Sequence, residues 1–546
     1  MLGSAKLSRL GGHIAFLGDR FSLVQAARAS IEKKAKALYY PKYNPTRPPK
    51  YNLKDLPQRS QAHYWKVIEL LNLAKTKTAR ATISRDSGIV ALPACAASPA
   101  FLHPSYFPLD PFHLFYENIT PFLWDLWTVD STPGESVHVP SPKIAHFGVL
   151  VAEAMRTLPP AFCGPRQSQY KAYKWMALFH WYILPIGLEL EFPPALLRNF
   201  SYLVEAVEIA MTVQSHSISD LQSLEDLIVD FLLQYEHLYV GDDPEKVQRC
   251  RLCIFQLIHV PIHIMWYGSI RLSSQATVER SIGEVGRKIT SRKEPFAHLS
   301  NIIVEQEIIR VLSLYYPELT HKGTTTTNTT RSDTRQKIRI SKSENLSEEL
   351  AHHLSAIFRD VFAGGKGERW SSKPADEYFD DCHIVRFGKR KLANGMVLRS
   401  EISEKYSTGR SAQDARDYRW FEGRNSEGKT SGTLQLTNQH KQMFGEVISF
   451  YAITNADNET VEVAVYRPLV DVCQPLKTVI QGRWPSASAK VKIAAVEVES
   501  ICTVVGIWAA PQSENIYILR KHPGLLMLTP LERGIQEDTE RDEMDD

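Results

Sequence analysis

Two short stretches hold carboxylates in settings that chemistry could use. In Tyr106-Phe-Pro-Leu-Asp110-Pro-Phe-His113 an apolar run ends in a carboxylate, and an imidazole follows three residues on. Such a pair can set an oxygen ligand for a hard cation at a strand end, beside a histidine that orients it. A D-x-x-H match arises about once by chance in a chain of this length, so context must raise it. In Gln275-Ala-Thr-Val-Glu279-Arg280 a carboxylate stands beside a guanidinium at the start of a helical pattern. Taken alone, a surface ion pair is the simpler account. Two-metal phosphoryl transfer would need three such carboxylates converging on one site.

A third group, Cys250-Arg-Leu-Cys253-Ile-Phe-Gln-Leu-Ile-His259-Val-Pro-Ile-His263, offers two thiols and two imidazoles, the donor set of a zinc site. Its spacing argues against zinc: five residues separate the pairs, and in a continuous helix Cys250 and His259 project from opposite faces. Core cysteines with structural histidines are the better account, although Pro261 could bend the chain enough to rescue a site.

The elements that must position these residues follow from periodicity. Residues 1–58 form a short basic N-terminal piece and a proline-rich connector, Pro41 to Leu56, short of backbone donors. Over 59–130 helical spacing at Arg59 to Leu73 gives way to Phe107 to Trp127, where strand and helix are expected in close succession. Residues 131–275 read as helices, with apolar side chains at three and four spacing in Val149 to Met155, Tyr173 to Leu184, Ala195 to Met211 and Leu221 to Tyr235. Helical periodicity extends through 276–320, and a Thr-rich linker at 321–345 ends it. A helix, Leu346 to Phe362, and a glycine break at Gly364, Gly365 and Gly367 fill 346–375. From 376 to 530 strand-like runs dominate, among them His383 to Phe387, Val447 to Ile453, Val461 to Tyr466, Val491 to Val498, Ile501 to Trp508 and Asn515 to Leu519. This predicts a β-rich unit with its own core, followed by an acidic tail at 531–546.

At 546 residues, with 43% hydrophobic and 23% charged side chains, the chain has the makings of two or three globular domains and is neither fibrous nor wholly disordered. A net charge of +3 supplies only a weak global field, so affinity for nucleic acid would rest on local clusters such as Arg287, Lys288, Arg292 and Lys293. Seven scattered cysteines make no disulfide framework and suit a reducing compartment. The longest apolar run, Trp175 to Leu188, is too short to span a bilayer and includes His180 and Pro185, and no export signal precedes it, so an intracellular protein without membrane segments is expected.

Taken together, D-x-x-H, a long helical stretch, and H-x-P-x-H closely followed by E-R resemble the motif order of CACTA-type (En/Spm-like) DNA transposases, in particular their fungal branch. The surrounding wording is similar too: Phe112-His-Leu-Phe-Tyr-Glu-Asn118, Trp124-Asp-Leu-Trp127, Phe162-Cys-Gly-Pro165, Trp175-Met-Ala-Leu178 and Gln275 to Gly286. The resemblance covers about Tyr40 to Tyr316, and more loosely Phe444 to Gly506. It implies an α/β fold, a partial ribonuclease-H-like (DDE) core interrupted by an all-α insertion and followed by the β-rich domain. On the same basis Asp110 corresponds to the second catalytic carboxylate and Glu279 to the third, both metal ligands, with His113 and Arg280 as motif companions. The implied cofactor is Mg²⁺ or Mn²⁺, the partner is DNA at transposon ends, a homo-oligomer is allowed, and the compartment is the nucleus.

The family's first catalytic Asp belongs on a strand upstream. Gly12-His-Ile-Ala-Phe-Leu-Gly-Asp19 resembles such a strand, which makes Asp19 a candidate first ligand, but the segment fits better as a damaged copy of the family's glycine-histidine, cysteine-rich stretch. Not one cysteine precedes Cys95. The expectation is therefore a degenerate or N-terminally truncated transposase, inactive as written. The alternative is a non-catalytic, domesticated DNA- or chromatin-binding remnant.

Overall fold

The computed structural model describes residues 12, 19–24, 26–28, 37–39, 51–106, 108–154, 171–213, 215–275, 288–289, 293–316, 336–338, 348–366, 379, 382–401, 403, 418–425, 441–489 and 492–521. It combines helices with antiparallel sheets. Two very short strands, β1 (Ala27–Arg28) and β2 (Ala37–Leu38), pair near the start. From 51 to 316 the described chain is helical, with isolated bridges as its only extended pairing.

Local signals set the helix ends. Ser60 Oγ accepts from His63 N at 3.1 Å to open Gln61–Leu73, and Gly88, at φ 75°, closes Lys77–Ser87 in a left-handed conformation that suits glycine. A reciprocal capping box between Ser217 and Asp220 starts Ile218–Tyr239. That helix buries Leu224, Ile228, Phe231, Leu232, Tyr235 and Tyr239, the stripe its periodicity predicts. Pro194–Ala210 lies against it, and the buried Asn199 Nδ2 donates to Phe231 O at 3.1 Å.

The segment expected to hold a strand before its helix departs from that expectation. Phe112–Ile119 is a π-helix that runs directly into the α-helix Thr120–Thr128. Phe112, Phe115, Tyr116, Ile119, Phe122, Leu123, Leu126 and Trp127 are all buried, a three-and-four spacing that only a helix can place on one face. The aromatic richness that suggested a strand serves helix packing here: Trp127 Nε1 donates to Tyr239 OH at 2.7 Å, and its ring meets Phe200 edge-on.

The C-terminal part is β-rich, as expected. Its strands are β3 (Gln336–Ile338), β4 (His383–Phe387), β5 (Lys389–Lys391), β6 (Val397–Arg399), β7 (Trp420–Asn425), β8 (Lys441–Thr454), β9 (Thr460–Pro468), β10 (Val470–Leu476), β11 (Val479–Arg483), β12 (Ala494–Glu497), β13 (Ile501–Val504), β14 (Gly506–Ala509) and β15 (Ile516–Leu519). β8 is the spine of a seven-stranded sheet, ordered β12-β9-β8-β4-β3 with β7 and β13 alongside. Alternation along β9 sends Val463 and Val465 to one face, under the helix Glu348–Ile357, and Ala464 and Tyr466 to the other. Two sequence boundaries shift. β3 belongs to the sheet although it lies inside the expected linker, and helix continues as a π-helix, Phe358–Lys366, through Gly364 and Gly365. Residues 323–335 and Gly367 lie outside the described residues.

A second sheet, β10-β11-β15-β14, joins the β-rich part, which has buried clusters of its own, to the helical part. Ile480, Ile507, Ile516 and Ile518 face the first sheet's Trp420 and Phe444, whereas Val479, Trp508, Tyr517 and Leu519 join the core of the helical part. Polar contacts fix the seam: Glu189 accepts from Ser513 Oγ at 2.9 Å, Asn515 Nδ2 at 2.8 Å and Tyr517 OH at 2.7 Å, and Trp181 Nε1 donates to Arg520 O at 2.7 Å. Replacing Glu189 with Ala strands the buried Tyr517 hydroxyl, so Glu189→Ala should lower unfolding stability by about 1–3 kcal/mol. Chemical denaturation followed by tryptophan fluorescence measures this, and Glu189→Gln, which keeps one acceptor oxygen, should lose less.

Candidate functional site

Asp110 stands at the start of a helix, not at a strand end, because Pro108 and Pro111 flank it and the run behind it forms no sheet. Its Oδ1 accepts from Phe112 N at 3.1 Å, the bond by which a carboxylate satisfies an open helix N-terminus. The same oxygen accepts from Gln275 N at 3.2 Å, across 165 positions of sequence. Leu109, one residue earlier, is gripped on both sides: its N–H donates to His263 Nδ1 at 3.3 Å, and its carbonyl accepts from Ser273 Oγ at 2.6 Å. Three bonds thus tie Leu109–Asp110 to the segment His263 to Gln275.

The remaining oxygen of Asp110 meets His113 Nδ1, and His113 Nε2 lies 3.4 Å from Glu117 Oε2. One imidazole is therefore bracketed by two carboxylates, each about one helical turn from it. Asp110 and His113 are 8% and 15% exposed, open enough for solvent to reach them. Glu279 and Arg280 lie outside the described residues.

Asp19 sits in a different environment, 1% exposed. Its Oδ2 accepts from Ser22 N and Ser22 Oγ, both at 2.6 Å, and His259 Nε2 stands 2.9 Å away as an ion-pair contact. Arg59 Nε donates to the carbonyls of Asp19 and Ser22, each at 2.8 Å. Burial opposes ionisation of Asp19, but the charge of His259 and the Ser22 hydrogen bonds outweigh it and hold the carboxyl below the usual carboxylate range. Phe21 spans the two histidines, 5.1 Å from the His259 ring and 4.4 Å from His263. Asp19 and Asp110 are thus linked through an aromatic bridge, Asp19 by way of His259 and Asp110 by way of His263 and Leu109.

The cysteine-histidine run is not one helix: a 3-10 turn, Pro244–Arg249, precedes Leu252–Phe255, then Gln256–His259 and Val260–Tyr267. Cys250 packs with Leu38, Val240 and Val247, and burial raises both thiols, Cys253 to about 11, so they stay protonated. His259 and His263 turn instead to Asp19 and Leu109. Among the described residues no group of three or more His, Cys, Asp and Glu could hold a metal ion. Both oxygens of Asp110 are engaged by protein groups, so the described donors do not by themselves fit a two-metal centre.

Sequence reasoning missed Ser22, Arg59, Ser273 and Glu117. Only Glu117, one turn beyond His113, left a signal in the spacing. No family model matches the chain, and no curated protein matches it.

Burial, then the nearby cations His259 and Arg20, pushes His263 down to about 2; burial, then Arg59 and Arg20, pushes His103 down to about 3. Both rings fold neutral. Below about pH 6.5 the unfolded chain takes up protons that these folded imidazoles refuse, so their contribution is full above that pH and is lost as pH falls. His263→Asn keeps an acceptor for Leu109 N and removes one titration. Urea unfolding between about pH 6 and about pH 4 should give a slope shallower than the parent's by up to about 1.4 kcal/mol per pH unit.

Proposed function

We propose that this chain is a transposase-derived protein of the CACTA type, nuclear and DNA-directed, whose ancestral chemistry is Mg²⁺- or Mn²⁺-dependent strand cleavage and transfer by a ribonuclease-H-like DDE core. As written it no longer performs that chemistry. The observation that carries the assignment is the clasp between Leu109–Asp110 and His263 to Gln275, since it joins the two segments that the motif resemblance pairs. Glu279 itself lies outside the described residues, four positions beyond Gln275.

The same site supports the loss of activity. Asp19 is the candidate for the missing first ligand, yet it is 1% exposed and committed to Ser22 and His259, closed to a DNA phosphate. Two carboxylates rarely hold a reactive metal pair. A helical core and docked sheets without a complete carboxylate set among the described residues also suit the second reading, a non-catalytic DNA- or chromatin-binding remnant. Both predict no turnover, and they part on whether any metal response survives at Asp110.

A nicking and strand-transfer assay on terminal inverted repeats, with Mg²⁺ or Mn²⁺, should show no product above background for this chain, for Asp110→Ala or for Asp19→Ala. Activity in the parent that both substitutions abolish would make Asp19 the first ligand and overturn the assignment of decay. Binding to the same DNA, weakened by added salt, is expected in every variant.

A further inference from the structure

Between the helix Ile218–Tyr239 and the turns that follow it lies a cavity of about 300 Å³, part of it open to solvent. Tyr235 and Glu236 stand side by side on the wall that this helix supplies. Tyr39, Tyr51 and Phe255 line another: the Tyr39 ring stacks on Phe255 at 4.6 Å, and Tyr51 stands edge-on to Phe255 at 5.6 Å. The walls are pinned, since Tyr39 N donates to Cys250 O at 3.1 Å and Tyr235 OH donates to Arg249 O at 2.9 Å. Burial, then the charge of Glu236, raises the Cys250 thiol, so the carboxylate and the thiol share one side of the cavity. Of the lining residues only Tyr51 is half-buried and the rest are buried, which makes Tyr51 the side that solvent reaches.

We propose that this cavity is a recognition site for a methylated lysine side chain on a basic segment of a partner protein. Aromatic rings attract a cation through their faces, most strongly where water is excluded, and a carboxylate beside them supplies the counter-charge. A bare ammonium is strongly hydrated and has little to bond to in so apolar a lining, whereas methyl groups pack against it. The volume is at the lower end for ligand sites, enough for a head group and too small for a drug-sized body. Choline on a phosphate offers the same trimethylammonium, but the surroundings favour lysine. Lys54, next to the cavity-lining Leu53, donates to Asp226 Oδ1, with Glu225 and Asp230 close by on the same helix as Glu236. These carboxylates repel a phosphate and suit the neighbouring cations of a basic segment. This inference does not depend on the transposase assignment.

Titration calorimetry on the full chain tests it, with one short arginine-flanked peptide that carries trimethyl-lysine, unmodified lysine, or the neutral isostere in which carbon replaces the quaternary nitrogen, and with phosphocholine. The trimethyl-lysine peptide should bind about tenfold tighter than each of the others. Tyr51→Leu, which keeps apolar bulk without a ring, and Glu236→Gln, which keeps shape without charge, should each weaken that binding about tenfold, and Tyr51→Phe should leave it unchanged. The comparison of peptides needs no substitution, so it decides the matter even where a variant folds poorly. Equal binding of the neutral isostere would make the cavity a plain apolar pocket, tighter binding of phosphocholine would make it a choline site, and no binding of any of the four would remove the site altogether; each result overturns the proposal.

Discussion

Leu109 and Asp110 are the hinge pin of the helical part. A dipeptide between two prolines has few ways to satisfy its backbone groups, and here both come from one distant segment, His263 on the N–H and Ser273 on the carbonyl. With Gln275 N on the Asp110 carboxylate, the π-helix Phe112–Ile119 is anchored at its start. That start fixes where Tyr116 meets His180, 2.9 Å from hydroxyl to Nε2, and so how the second π-helix, Leu178–Tyr182, lies against the first. Two π-segments in contact depart from regular helix geometry where the site is built, and such segments are often found at functional positions.

The docked sheet carries that arrangement outward. Trp181 belongs to the second π-helix and bonds Arg520 O just past β15, and Glu189, one helix further on, receives the hydroxyl and amide donors of the loop before β15 and of β15 itself. Arg520 in turn pairs with Glu422 on β7 at 2.9 Å, which ties the second sheet to the first. From Asp110 to the seven-stranded sheet the contacts are continuous, so the helical and β parts are two regions of one packed body. Alternation in Ile516-Tyr-Ile-Leu519 makes this possible, since one strand serves a different core on each face.

Periodicity made most of this legible. Ile218–Tyr239 and Pro194–Ala210 follow three-and-four spacing over many residues, and β9 follows strict alternation, so each was evident in the sequence. β10 was not. It is an exposed edge strand with Pro475 inside it, register shifts against β11 and Asp471 at positive φ, and none of its features resembles a buried strand. The strand expected before Asp110 failed for the opposite reason, since aromatic residues serve helix and strand cores alike and only their spacing separates the two. Of the site, Asp110 and His113 were legible as a pair, but Asp19's partners were not. Ser22, Arg59 and His259 converge from three separated stretches, and only tertiary packing could reveal their shared burial.

Packing alone accounts for the buried cluster. Asp19, Arg20, Arg59, His259 and His263 are each at most 5% exposed. A buried charge deprived of its partner costs several kcal/mol, on the order of 3–5. Asp19 is the carboxylate that Arg20, Arg59 and His259 share, so its loss would be the costly one. Stability alone would retain these residues in a chain that never turned over. Their presence is evidence about packing, while the chemistry must be judged at Asp110, which solvent can reach.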